Sequence, residues 1–324
     1  MVESAVYYTQ RNGFLYDTIP ILFTNKHYYN NHTLWSMIVN NTRNLTPLMC
    51  AAFNINYDRI TFLLNIGANV NIVDSSNQSS LLYAITKIKE IPKDCSKCDT
   101  CTTKMITIIK IIKKLCQYNP NLNILTSGLD NIVMIAIKLG FTEAVNIFCN
   151  YNFNINQVND EGKTAMSIAI EHNYPIISYL LWKKGADINS IDDKKHTFLM
   201  TMVYNYDSSV TYEMVEDVLK HKPNINAQDV NNATALSYAC VEASLKVMDL
   251  LIKYGADVNQ SLVSMIHLNK IDYINILCAP QNIVKYDFMI NFAKKLKNKE
   301  IEILLLQKLK EFNKFNRQTI HQKM

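Results

Sequence analysis

Apolar residues between positions 42 and 259 come in short runs at helical spacing, and each pair of runs closes on the same polar signature. It reads Gly-Ala-Asp-Val-Asn at 255–259, Gly-Ala-Asp-Ile-Asn at 185–189 and Gly-Ala-Asn-Val-Asn at 67–71. Worn copies stand at 119–123, 152–156 and 222–226, each ending in Asn after an aliphatic residue. A second mark, at Thr46, Thr164 and Thr234, lies 21 residues before the Gly, and the register steps by 33 from Thr46 to Ser79 and from Asn131 through Thr164 to Thr197. The pattern predicts paired helices. Thr46 caps the first helix of a unit through its hydroxyl, and Pro47 fits the first helical turn, where a missing N–H costs nothing. Small Ala51, Ala169 and Ala239 let neighbouring helix pairs approach, while aliphatic pairs such as Leu63-Leu64, Leu180-Leu181 and Leu250-Leu251 fill the layer between them. Gly67, Gly185 and Gly255 are expected to end the second helix in the left-handed conformation, with Asn119 and Asn152 as substitutes. Lys222 at the same place is expected to close its unit differently.

The Thr-Pro-Leu-x-x-Ala-Ala run at 46–52, the aliphatic pairs and the Gly-Ala-Asp-Val-Asn closings resemble the ankyrin-repeat family, whose unit is a hairpin finger followed by two helices. The resemblance covers 42–259 and implies an all-α solenoid of six repeats. Such units are stable only when stacked and capped. Residues 1–41 fit no repeat and are expected to cap one end. Residues 260–324 read as degenerate repeats and a helical cap, with helices over 261–269, 271–278, 288–297 and 300–311 and lysines on the outer, water-facing sides. The second repeat carries an insertion at about 87–105 ahead of a helix at 106–115, and the fifth carries four extra residues near 207–210.

Composition narrows the function classes. The chain has 324 residues, 48% hydrophobic and 19% charged, so it folds, and the two domains that its length suggests give way to the repeat. Seven scattered glycines rule out the phosphate-cradling loops of nucleotide folds. A net charge of +5 is weak for a nucleic-acid binder, and the lysine-rich end is expected to be a solvated cap. No apolar run is long enough for a membrane helix, and the first residues lack a secretory pattern, so a soluble, intracellular and cytoplasmic monomer is expected. Seven histidines fall with no catalytic spacing, which points to a protein that is not an enzyme and needs no cofactor. Cys95, Cys98 and Cys101 have the two-residue spacing with which thiolates bind zinc, so a metal-binding or redox protein is the alternative to an inert reduced loop there. Cys116 falls on a core register, and Cys50, Cys240 and Cys278 read as packing residues.

The resemblance also implies where a partner protein binds: the fingers and the exposed end of each first helix. Those positions are Arg43, Phe53, Asn54, Lys87, Lys138, Glu171, His172, Lys194, Tyr204, Asn205 and Glu242. The aromatics Phe53 and Tyr204 are the expected anchors, and Arg43, Glu171, Lys194 and Glu242 the expected determinants of specificity. Asn189 and Asn259, each eight residues after a Leu, match the closing Asn that an asparaginyl hydroxylase modifies in similar proteins. Heavy use of Asn, Ile, Lys and Tyr resembles ankyrin proteins of large DNA viruses, which implies a host-interaction factor. Residues 280–324 lack the Leu-Pro start of the ligase-recruiting segment found in many of those proteins.

Overall fold

The computed structural model describes residues 44–91, 99–242, 244–279, 282 and 284–323, with side chains as far as 318. The region 1–41 expected to cap the N-terminal end, together with Arg43, Cys95 and Cys98, lies outside the described residues. Two compact units divide the chain at Ser127 and Gly128. Among the described residues there are sixteen α-helices and no strands beyond isolated bridges.

In the first unit, α1 (Pro47–Phe53) packs on α2 (Tyr57–Asn65) and α3 (Ser80–Thr86), and α4 (Asp99–Cys116) packs on α2 and α3. Thr46 caps α1 as expected: its hydroxyl accepts from the Met49 N–H at 3.2 Å, and its own N–H reaches the Met49 sulfur at 3.3 Å. Pro47 takes the first helical turn. Ile108, Ile111, Ile112 and Leu115 form the buried stripe of α4 at spacings of three and four residues. The insertion differs from expectation. Lys87–Glu90 form a turn of 3-10 helix, and α4 starts at Asp99, well before position 106. No Gly or Pro stands between Pro92 and Pro120 to stop it, so the helix grows backward from its buried half toward the acidic first-turn residue Asp99.

The second unit repeats the same pair. Its first helices are α5 (Ile132–Lys138), α7 (Ala165–Glu171), α9 (Phe198–Tyr204) and α11 (Ala235–Val241). The partners are α6 (Thr142–Phe148), α8 (Pro175–Lys183), α10 (Tyr212–Lys220) and α12 (Leu245–Lys253). Fully buried Ala136, Ala169 and Ala239 stand five residues after the cap of their helices, where a larger side chain would push neighbours apart. Closing Asn side chains tie successive pairs: the Asn189 amide oxygen accepts from the Asn224 N–H at 2.8 Å, and that of Asn226 accepts from the Asp257 N–H at 2.7 Å. The four extra residues of the fifth repeat make a turn in which the Asp207 N–H donates to the Val210 carbonyl at 3.1 Å.

Gly67, Gly185 and Gly255 end second helices at φ of 92°, 105° and 95°, and Asn119 stands in for them at 51°. Two expectations fail here. Lys222 does adopt the left-handed conformation, at φ 53°, and its N–H closes onto the Leu219 carbonyl; its exposed, unbranched side chain leaves the turn without a clash. Asn152 does not adopt it, because Asn150 and Tyr151 already satisfy the last carbonyls of α6.

Beyond Asn259 the finger is missing, and α13 (Val258–His267) starts directly after Asp257, whose carboxylate caps it. It is followed by α14 (Ile271–Leu277), α15 (Tyr286–Lys295) and α16 (Lys299–Lys323), the last running well past position 311. Phe288 and Ile303 are exposed among the lysines, so the outer side of this end is mixed rather than wholly polar.

Burial pushes the Cys116, Cys240 and Cys278 thiols up to about 12, from an unfolded value of about 8.5. A folded value raised in this way contributes stability that is complete below the unfolded value and is lost as pH rises through the folded one. We expect the urea midpoint to fall steadily between about pH 8.5 and 12, and iodoacetamide at neutral pH to leave these three thiols unmodified until the chain unfolds. Rapid labelling of the folded protein at Cys240 would contradict this packing role.

Candidate partner-binding face

Each complete finger of the second unit is built on one buried acceptor five residues before the helix cap. Asp192 accepts from the Lys194 and His196 N–H groups, Asp229 from those of Asn231 and Ala233, and Asn159 from those of Glu161 and Lys163, all at 2.7–3.1 Å. Two residues before each cap the chain turns left-handed, at Leu129, Gly162, Lys195 and Asn232. Together the acceptor and the turn fix the direction of the two fingertip side chains between them. At the other end, each first helix is only seven residues long, so its final side chain emerges beside a finger.

One ion cluster shows how these positions meet. Lys163, one residue before the cap of α7, lies 2.8 Å from Glu171 at the end of that helix, 3.0 Å from Asp193 on the next finger and 3.4 Å from Glu161 on its own. Its hydrogen bonds to Glu171 and then Asp193 hold its ammonium well above the usual lysine range. Lys138 adds contacts to Asp130 at 2.7 Å and Glu161 at 3.7 Å. A fingertip thus sits beside the end of the preceding first helix.

Over the next two repeats the same positions carry apolar groups. Tyr204, Val230 and Val241 are 48%, 54% and 50% exposed. Beside Tyr204 lies a polar network: the Tyr238 hydroxyl donates to Asp229 at 2.8 Å, and the His196 ring lies 2.9 Å from Asp192 and 3.8 Å from Asp229. The Tyr204 ring stands edge-on to Tyr238, with centroids 6.2 Å apart. Burial, followed by the Asp229 hydrogen bond, raises the Tyr238 hydroxyl above its usual range, so it stays a donor at neutral pH.

A family model for ankyrin repeats matches residues 104–192 and 189–261, and a single-repeat model matches 43–75. The chain belongs to the ankyrin-repeat family. Its fold is an all-α ankyrin solenoid. Among solved structures it is similar to an ankyrin repeat domain from Acinetobacter baumannii AYE, at 19% identity over 65% of this chain and 98% of that one, with a TM-score of 0.48. The ankyrin repeat domain of Bcl-3 is 21% identical over 66% of this chain and 88% of that one, with a TM-score of 0.45. That of human ASB11 is 18% identical over 66% and 86%, with a TM-score of 0.43. No curated protein matches the chain.

Placed on this ankyrin frame, the candidate residues separate. In the first unit Phe53 is exposed and packs edge-on to Tyr83 at 6.1 Å, but Lys87 is buried. Its ammonium lies 3.5 Å from the Phe53 ring centre and pairs with Glu90. Lys87 is therefore a support for Phe53 rather than the outward contact its register implied. Asn54 is exposed and ties its amide to the Cys50 carbonyl. In the second unit the structure brings Lys138 and Glu171 into the ion cluster and stacks His172 on Tyr174 at 5.6 Å. Asn205 is committed to Asn173 and the Thr201 carbonyl, whereas Tyr204, Lys194 and Glu242 are exposed. Asn189 is exposed in its turn and accepts from the Asn224 N–H at 2.8 Å, and Asn259, in the first turn of α13, accepts from the Lys285 N–H at 2.7 Å. Cys101 stands in the first turn of α4, and among the described residues no His, Cys, Asp or Glu side chains are grouped to hold a metal ion. No described helix is long and apolar enough to cross a membrane.

The supports were missed: Lys163, His196, Tyr238 and the buried finger acceptors. The signal was present, since Asp74, Asn159, Asp192 and Asp229 all stand five residues before a cap.

Proposed function

We propose that this ankyrin protein is a noncatalytic interaction module that holds another protein against the face formed by its fingers and first-helix ends. The observation that carries the reading is the exposure of Tyr204, Val230 and Val241, with the Tyr204 ring held edge-on against the hydrogen-bonded Tyr238. Exposed aromatics held rigidly lose little freedom on binding and serve as interface anchors. Phe53, propped by Tyr83 and Lys87, is the corresponding anchor of the first unit. Arg43, Glu171, Lys194 and Glu242 set specificity around the anchors, and Asn189 and Asn259 are the closing Asn residues that match the hydroxylation pattern. The protein works as a cytoplasmic monomer without nucleic acid, and its Asn-, Ile-, Lys- and Tyr-rich composition supports a role as a host-interaction factor of a large DNA virus. Tyr204→Ala is expected to weaken partner binding by about 2 kcal/mol, roughly thirtyfold. Affinity capture from cells with native and variant protein, quantified by mass spectrometry, checks this. Partners retained equally by Tyr204→Ala and Phe53→Ala would sink the proposal.

A further inference from the structure

The face of the second unit is divided. Its α5–α7 half gathers Asp130, Glu161, Glu171 and Asp193 around Lys138 and Lys163. Its α9–α11 half presents Tyr204, Val230 and Val241. Lys194 lies at the seam, on the same fingertip as Asp193. The repeat register places Glu171, Tyr204 and Val241 at the same position of successive first helices, one stacking step apart. Packed helices are about 8–10 Å apart, and three residues of polyproline II span about 9 Å with their first and fourth side chains on one side. Resting on the interaction reading above, we infer that this face takes an extended partner segment. Its Lys or Arg enters the Glu161–Glu171 cluster, and apolar side chains three and six positions away cover Tyr204 and Val241.

The charge and the apolar patch each exclude something. An acidic segment would meet the Glu161, Glu171 and Asp193 carboxylates at one end, and a wholly basic one would leave the aromatic half wet. Panning a library of random dodecamer peptides on the full-length protein tests the inference. Enriched peptides are expected to carry Lys or Arg three positions from an aliphatic or aromatic residue. Synthetic copies should bind at least tenfold more weakly to Tyr204→Ala and to Glu161→Gln/Glu171→Gln, each variant keeping the native circular dichroism. Their affinity should also fall as salt rises from about 50 to about 300 mM, because the ion contacts are screened. Enrichment of acidic peptides, no enrichment, or binding indifferent to Glu161→Gln/Glu171→Gln overturns the inference. Peptides that lose binding with Tyr204→Ala but not with the charge variant leave the interaction reading standing, whereas indifference to both variants removes that reading too.

Discussion

Asp229→Ala is expected to destabilise the second unit by about 3 kcal/mol, the loss typical of removing one member of a buried, fully bonded polar group. The Asp229 carboxylate is fully buried and takes the Asn231 and Ala233 N–H groups at 2.8 and 2.9 Å, the Tyr238 hydroxyl at 2.8 Å and the flank of the His196 ring. Alanine leaves those donors unpaired in a space too small for full hydration. Asp229→Asn keeps one carbonyl oxygen for the two finger amides, and the Tyr238 hydroxyl can turn to accept from the new NH2, so about 1 kcal/mol is expected. Urea unfolding of both variants separates them. Equal losses would mean that the carboxylate's charge, rather than its geometry, holds the finger. Because Tyr238 positions the Tyr204 ring, Asp229→Ala should also reduce partner binding while leaving Tyr204 in place.

Phe198→Ala is expected to cost about 3–5 kcal/mol, the range for emptying a fully buried aromatic site. The Phe198 side chain is completely buried in α9, which packs on α8, α10 and α11, and its ring lies 6.0 Å from that of Trp182. Neighbouring repeats interact only with one another, so damage at one of them uncouples the stack locally. In a Trp35→Phe background, Trp182 fluorescence should therefore change at lower urea than far-ultraviolet circular dichroism does. A single coincident transition shifted by less than about 1 kcal/mol would show that the site collapses around the smaller side chain. Phe198→Leu retains most of the volume and should behave nearly as native.

Much of the fold was legible because repetition amplifies weak signals. Thr46, Thr164 and Thr197 each cap a helix where the period placed them, and Gly67, Gly185 and Gly255 each turn left-handed. Single-position inferences fared less well. Lys222 was excluded from the left-handed turn on residue type, yet the conformational cost of about 1–2 kcal/mol is met there by closing onto the Leu219 carbonyl. The start of α4 was missed because the polar residues 99–105 show no apolar stripe; they are helical as an extension of a buried one. The site was half legible. Period 33 marked the outward side chains, but not whether each is free to meet a partner.

The sequence alone determined the unit, its register and the row of positions that face outward, since helix caps, glycine turns and apolar spacing are local properties repeated often enough to read. Tertiary structure decided which of those positions are open. Lys87 folds over Phe53, Asn205 is spent on Asn173, and Lys163 gathers Glu161, Glu171 and Asp193 from two fingers and a helix end. The Lys87–Phe53, Asn205–Asn173 and Lys163–Asp193 contacts join residues one repeat apart in the chain. Their energies depend on distances and burial that only stacking creates, and no local pattern encodes them.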